Sequence, residues 1–108
     1  MSSSYKKYSM EKDLLEISKA AKIIGSKWTL LILNSLLKGK KRFGQLQKEV
    51  GTINPKTLSK RLRDLEKEGY IKKKVYAQVP PKVEYSLTKK GEIFKRVVKA
   101  VKNCGEKM

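Results

Sequence analysis

The side chains in this sequence best placed for chemistry are cations at helical spacing. In NPKTLSKRLRDLEK, residues 54–67, Lys56, Lys60, Arg63 and Lys67 share one side of a projection stepping about 100° per residue. Leu58, Leu62 and Leu65 form a narrow stripe roughly opposite. A row of ammonium and guanidinium groups neutralises a polyanion. Arg63 and the lysines can donate to guanine O6 and N7, and Thr57 and Ser59 can bond a base or a phosphate. A solvated helix face is the plain alternative, but Asp64 is the only acid near that side and it sits at the edge.

Other chemistry finds little support. There is no histidine, the commonest general base and metal ligand, and the single Cys104 cannot form a CxxC-type zinc site. The acids are scattered, and no P-loop or dinucleotide fingerprint is present. The expectation is a chain that is not an enzyme, with no metal and no cofactor.

The whole composition points the same way as the basic face. In 108 residues, 27 Lys+Arg stand against 10 Asp+Glu, a net charge of +17 with pI about 10.1. A polyanionic partner accounts for so one-sided a balance, with nucleic acid first and an anionic membrane surface second. The longest apolar run, WTLLILNSLL over 28–37, is interrupted by Asn34 and Ser35 and is about half a bilayer span, so it reads as a core helix. The opening MSSSYKKYS has no apolar signal-peptide region and reads as a flexible arm over 1–9. With one unpaired cysteine, these features lead to an expected cytoplasmic, nucleoid-associated protein that does not enter membranes.

The elements that must position the basic face follow from periodicity. Leu14, Ile17, Ala21 and Ile24 predict a first helix over 10–24, ended by Gly25. Ser26 can cap a second, apolar helix over 27–37, closed by Lys38 and Gly39. Phe43, Leu46 and Val50 predict a short third helix over 43–50. GTIN forms a turn, and Asn54 with Pro55 starts the basic helix, 55–68. Gly69 ends it. YIKKKVYAQ and KVEYSLT each alternate, predicting a two-stranded hairpin over 71–87 with Ile71 and Val75 on one face and Lys72 and Lys74 on the other. Thr88 can cap a last helix whose stripe is Ile93, Phe94, Val97, Val98 and Val101. The fold expected is α+β, mostly helical: a single winged helix-turn-helix domain over 10–108 with a two-stranded wing.

The wing is the second candidate contact, through Lys72, Lys73, Lys74 and Lys82; the basic run 38–42, with Lys41 and Arg42, can clamp phosphates as well. The plain alternatives are an edge strand protected by charge and a solvated loop. The terminal helices, about 10–24 and 88–104, carry stripes broader than one small core needs. Leu14, Ile17, Phe94, Val97, Val98 and Val101 are therefore the expected dimerisation set, and a two-fold dimer would set two basic helices on successive turns of a palindromic site.

IGSKWTLLIL at 24–33, RFGQLQKEV at 42–50, INPKTLSKRLRDLEKEGYI at 53–71 and VPPKVEYSLTKKG at 79–91 resemble the HxlR-type winged-helix transcriptional regulators, relatives of the MarR group. The resemblance covers roughly 14–101, in the family's order and spacing. It implies a homodimeric bacterial or archaeal regulator that binds double-stranded DNA at a dyad-symmetric operator. It implies a recognition role for Lys56, Thr57, Ser59, Lys60 and Arg63, and a wing role for VYAQVPPKVEYSL. Redox-sensing members carry a cysteine at the start of the first helix. That position falls near Leu15, so Cys104 is the only thiol here that can serve redox chemistry. A non-specific architectural DNA-binding protein is the alternative in function. An RNA-binding module lacks stacking aromatics, and an adaptor leaves the charge without an account.

Overall fold

The computed structural model describes the backbone of residues 2–108 and the side chains of residues 9–108. In chain order the elements are α1 (Ser2–Ile24), α2 (Lys27–Leu37), β1 (Lys41–Arg42), α3 (Phe43–Glu49), α4 (Pro55–Lys67), β2 (Ile71–Tyr76), β3 (Lys82–Leu87), a 3-10 turn (Lys90–Ile93) and α5 (Phe94–Glu106).

Apolar spacing decides what is central. Ile32, Leu33 and Leu36 of α2 are buried and meet Leu46 and Val50 beneath α3, Leu58, Leu62 and Leu65 of α4, and Phe94 and Val98 of α5. The narrow leucine stripe of α4 thus lies wholly inside, and its cations are left outside. Tyr70 packs edge-to-face on Phe94, with ring centroids 4.8 Å apart. Trp28, expected in the core, is half-buried against it, with Lys27 Nζ 5.1 Å from its ring centroid.

Two helix ends are built alike around glycine. Gly51 and Gly69 take φ of 93° and 80°, a region that a Cβ disfavours. The N–H of Gly69 donates to Glu66 O at 2.9 Å and that of Tyr70 to Leu65 O at 2.9 Å. Gly51 and Thr52 close α3 in the same way onto Lys48 O and Gln47 O. The chain therefore reverses sharply on either side of α4, which fixes its entry and exit.

Thr88 joins the end of α4 to the start of the C-terminal helix. Its Oγ1 donates to Gly69 O at 2.6 Å and accepts from the Gly91 N–H at 3.1 Å, while Lys90 Nζ donates to Glu68 O at 2.6 Å. Thr88 therefore bonds to the 3-10 turn rather than capping α5, whose cap position is Ile93 without a side-chain capping bond. Ser26 occupies the cap position of α2 in extended conformation without a side-chain capping bond.

Three features differ from expectation. α1 begins at Ser2, upstream of residue 10, so helical backbone covers the stretch expected as a flexible arm; Met1 and the side chains of residues 2–8 lie outside the described residues. The wing is also not a lone hairpin: β1 adds to it, giving an antiparallel sheet of order β1-β3-β2 with Lys41 opposite Tyr85 and Arg42 opposite Glu84. Third, α3 ends at Glu49 and α4 at Lys67, each one residue early, because Val50 and Glu68 serve as their C-caps. The β2–β3 register runs from Ile71↔Leu87 to Tyr76↔Lys82.

Candidate nucleic-acid interface

α4 is started by its own sequence: Asn54 Oδ1 accepts the orphan N–H of Lys56 at 2.8 Å and Pro55 fills the first helical position. With the leucines inside, Lys56, Lys60, Arg63 and Lys67 are exposed, and Thr57 and Ser59 are half-buried at the face's margins. Lys60 Nζ lies 3.2 Å from Asp64 Oδ2, one turn away and well solvated, so the single acid of this region aligns Lys60 rather than neutralising the row. Arg61, which the spacing left unassigned, turns away from this face. It lines a cavity of about 40 Å³ together with Lys22, Thr29 and Asp64.

On the sheet, alternation sorts the side chains as the sequence predicts. Lys72, Lys74 and Tyr76 share a face with their partners Ser86, Glu84 and Lys82. This face, with Lys40, borders a shallow groove of about 390 Å³. At its centre Tyr76 Oη donates to Glu84 Oε1 at 2.7 Å, and Lys82 Nζ is 3.5 Å from Glu84 Oε2. Lys74 Nζ and Lys82 Nζ each lie 4.9 Å from the Tyr76 ring centroid. The Tyr76 hydroxyl holds the Glu84 carboxyl below its ordinary pKa, and the same bond raises the phenol. One carboxylate and one ring thereby hold two wing ammonium groups in place.

The run 38–42 divides. Lys41 is drawn inward: its Nζ is 3.1 Å from Glu49 Oε2, and Ser35 Oγ donates to Glu49 Oε1 at 2.9 Å. Lys41 first, then Ser35, holds the Glu49 carboxyl below its usual range. Arg42 is exposed and Lys40 lines the wing groove. Sequence could not show which lysine of the run faces out, because a two-residue strand has no period.

The expected dimerisation set also divides. Phe94 and Val98 belong to this chain's own core and Val97 is half-buried, whereas Leu14, Ile17 and Val101 are 69%, 66% and 47% exposed. Met10 and Leu15 join the exposed stripe on α1. Between α2 and α5 runs a groove, apolar near Leu30, Leu31 and Val101 and basic near Lys38, Lys95 and Lys99. Cys104 is exposed on α5, far along the chain from the Leu15 position.

Helices packed on α2, a tight turn into a basic helix, and a three-stranded wing make this a winged helix-turn-helix protein. The chain belongs to the HxlR-like helix-turn-helix family, whose model matches residues 23–108. It is 47% identical over 85 residues to the HTH-type transcriptional regulator YdeP of Bacillus subtilis, covering 79% of this chain and 66% of that one. An HTH-type transcriptional regulator of Methanothermobacter thermautotrophicus is 38% identical over 93 residues, covering 86% and 71%. The chain thus spans about two thirds of the length of the curated relatives it matches. Among solved structures, the redox regulator HypR in its oxidised form superposes with a TM-score of 0.82 at 36% identity, covering 86% of this chain and 96% of that one. The family is one of transcriptional regulators rather than enzymes. Among the described residues no three or more His, Cys, Asp or Glu side chains are grouped to hold a metal, and no helix is long and apolar enough to cross a membrane.

Proposed function

We propose that the chain is a homodimeric, sequence-specific regulator of transcription that binds a dyad-symmetric operator in double-stranded DNA, in the cytoplasm of a bacterium or archaeon at the nucleoid. The division of α4 carries the reading: Leu58, Leu62 and Leu65 are buried, while Lys56, Arg63 and Lys67 of the opposite side are exposed and Lys60 is exposed beside Asp64. α4 enters the major groove, Arg63 and Lys56 donate to guanine edges, and Thr57, Ser59 and Lys60 bond bases or phosphates near them. Lys72, Lys74, Lys82 and Arg42 meet the backbone on the wing side.

The dimer follows from the uncovered stripe of α1. Met10, Leu14 and Ile17 are flanked by Glu11, Asp13 and Glu16, and the α2–α5 groove is rimmed by Lys95, Lys99 and Lys102. Docking these on a second copy covers apolar surface and pairs opposite charges in one step, with Val101 at the seam.

The test is selection from a random duplex pool at about 150 mM salt, where bare charge attraction is already weakened. A dyad motif with half-sites about one helical turn apart is the expected result. Affinity that falls steeply with salt on every sequence, with no motif enriched, would replace this reading with that of an architectural protein.

A further inference from the structure

One cation of α4 lies off its exposed face. Arg61 is half-buried where α4 meets the end of α1 and the start of α2, and its Nε is buried without a hydrogen-bond partner among the described residues. A charged donor left unpaired in the interior is costly, and native proteins seldom leave one. Lys22 borders the same cavity of about 40 Å³, and neither cation pairs with a carboxylate among the described residues. Asp64 is the one acid in the lining, and its Oδ2 is 3.2 Å from Lys60 Nζ. Thr29, which is buried, adds a hydroxyl, and Ile23 and Leu65 add an apolar wall.

The lining is therefore rich in donors and poor in acceptors. Water serves such a site badly. It can accept from the two cations, but its own two hydrogens then need acceptors, and only Thr29 and Asp64 remain. An anion accepts from every donor and has no hydrogens to place. Its charge meets two cations beside an apolar wall, where solvent screens the attraction less than at an open surface. The volume holds roughly three water-sized groups, which suits a halide ion and is tight for a tetrahedral oxyanion.

We propose that this cavity binds a small, acceptor-only anion of the halide class, such as chloride, held by Arg61 Nε and Lys22 Nζ with Thr29 Oγ1 as a further donor. The anion ties the end of α1 to α4 beside Ile23 and Ile24, where α1 packs on the core. The site is separate from the cationic face of α4 and does not depend on the DNA-reading proposal.

The test follows the thermal midpoint of the full-length protein, without DNA, as chloride replaces gluconate from about 5 to about 200 mM at constant ionic strength. Gluconate is too large for the cavity. A ligand of the native state raises the midpoint, and a site half filled near roughly 10 mM should raise it by about 5 °C. Arg63→Gln, which removes one charge from the exposed face, should respond like wild type. Arg61→Gln and Lys22→Gln should each lose about two thirds of the response or more. Lys22 is exposed, so its variant tests the site even if Arg61→Gln fails to fold. Asp64→Asn removes the only acid of the lining and should move the response to roughly threefold lower chloride. Equal responses in wild type and Lys22→Gln mean that chloride merely screens the net charge of +17, and they overturn the inference. Absence of any response in wild type overturns it as well. A lower midpoint in Asp64→Asn would then give Arg61 to that carboxylate, and a salt slope of duplex binding reduced by about 1 in Arg61→Gln would give it to a backbone phosphate.

Discussion

α1 and α4 both carry leucine-containing stripes, and the two stripes have opposite fates. In α4 the stripe is 0–3% exposed and the outer face is cationic. In α1 Leu14, Leu15 and Ile17 point to solvent beside Glu11, Asp13 and Glu16, so three of the chain's ten acids fall within one exposed stretch of helix. An amphipathic pattern announces that a face is to be covered; only packing reveals whether the cover is the same chain or another molecule. α4 is completed within its own fold, and α1 is not.

The comparison breaks most readily from the α4 side. Leu62→Ala should destabilise the fold by about 3 kcal/mol, since a buried leucine loses contacts and leaves a cavity, and denaturant titration measures it. A cost near zero would mean that α4 is loosely held. On the α1 side, the double change Leu14→Ser with Ile17→Ser should leave the body folded by circular dichroism while sedimentation shows monomers. Operator affinity should then fall on the order of a hundredfold, as two linked contacts become one. Retained dimers would place the interface elsewhere.

Within α4, Arg63→Ala should lower the ratio of specific to non-specific binding by about tenfold. On the wing, Lys82→Ala should weaken binding to all duplexes and reduce the salt slope by about 1. Titrating the two variants against salt separates base reading from charge. The smallest effect concerns the body alone. Glu49 is held below its ordinary pKa of 4.5 by Lys41 and Ser35, so it stabilises the fold above that value and ceases to do so as pH falls through the lower folded-state value. Going from about pH 6 to about pH 3, the denaturant midpoint of wild type should drop more than that of Glu49→Gln, with α1 uninvolved.

Much of this architecture was legible because its signals are local. α2, α4 and the hairpin carry unbroken periods of 3.6 or 2, and Asn54-Pro55 and Gly69 mark boundaries that the backbone obeys. β1 was not legible: it is two residues of a basic run, and its pairing with Tyr85 and Glu84 is a contact between distant parts of the chain. The same cause hid the ion pair of Lys41, whose partner Glu49 lies on another element. The stripe of α5 was visible as a stripe, but periodicity gives direction and not depth. It could not separate Phe94 and Val98, inside this chain, from Val101, at its surface. The start of α1 was missed because SSSYKKYS offers no apolar period at all.

The small junction at Thr88 has a mechanical meaning. Because one hydroxyl grips both the carbonyl that ends α4 and the amide that leads into α5, and Lys90 reaches back to Glu68, the two helices share a fulcrum. In the two-fold assembly proposed above, tilting α5 against its mate would swing each α4 about that point. A small change in how the halves lean would then become a change in the span between the two reading heads, as the legs of a pair of dividers open from their pivot.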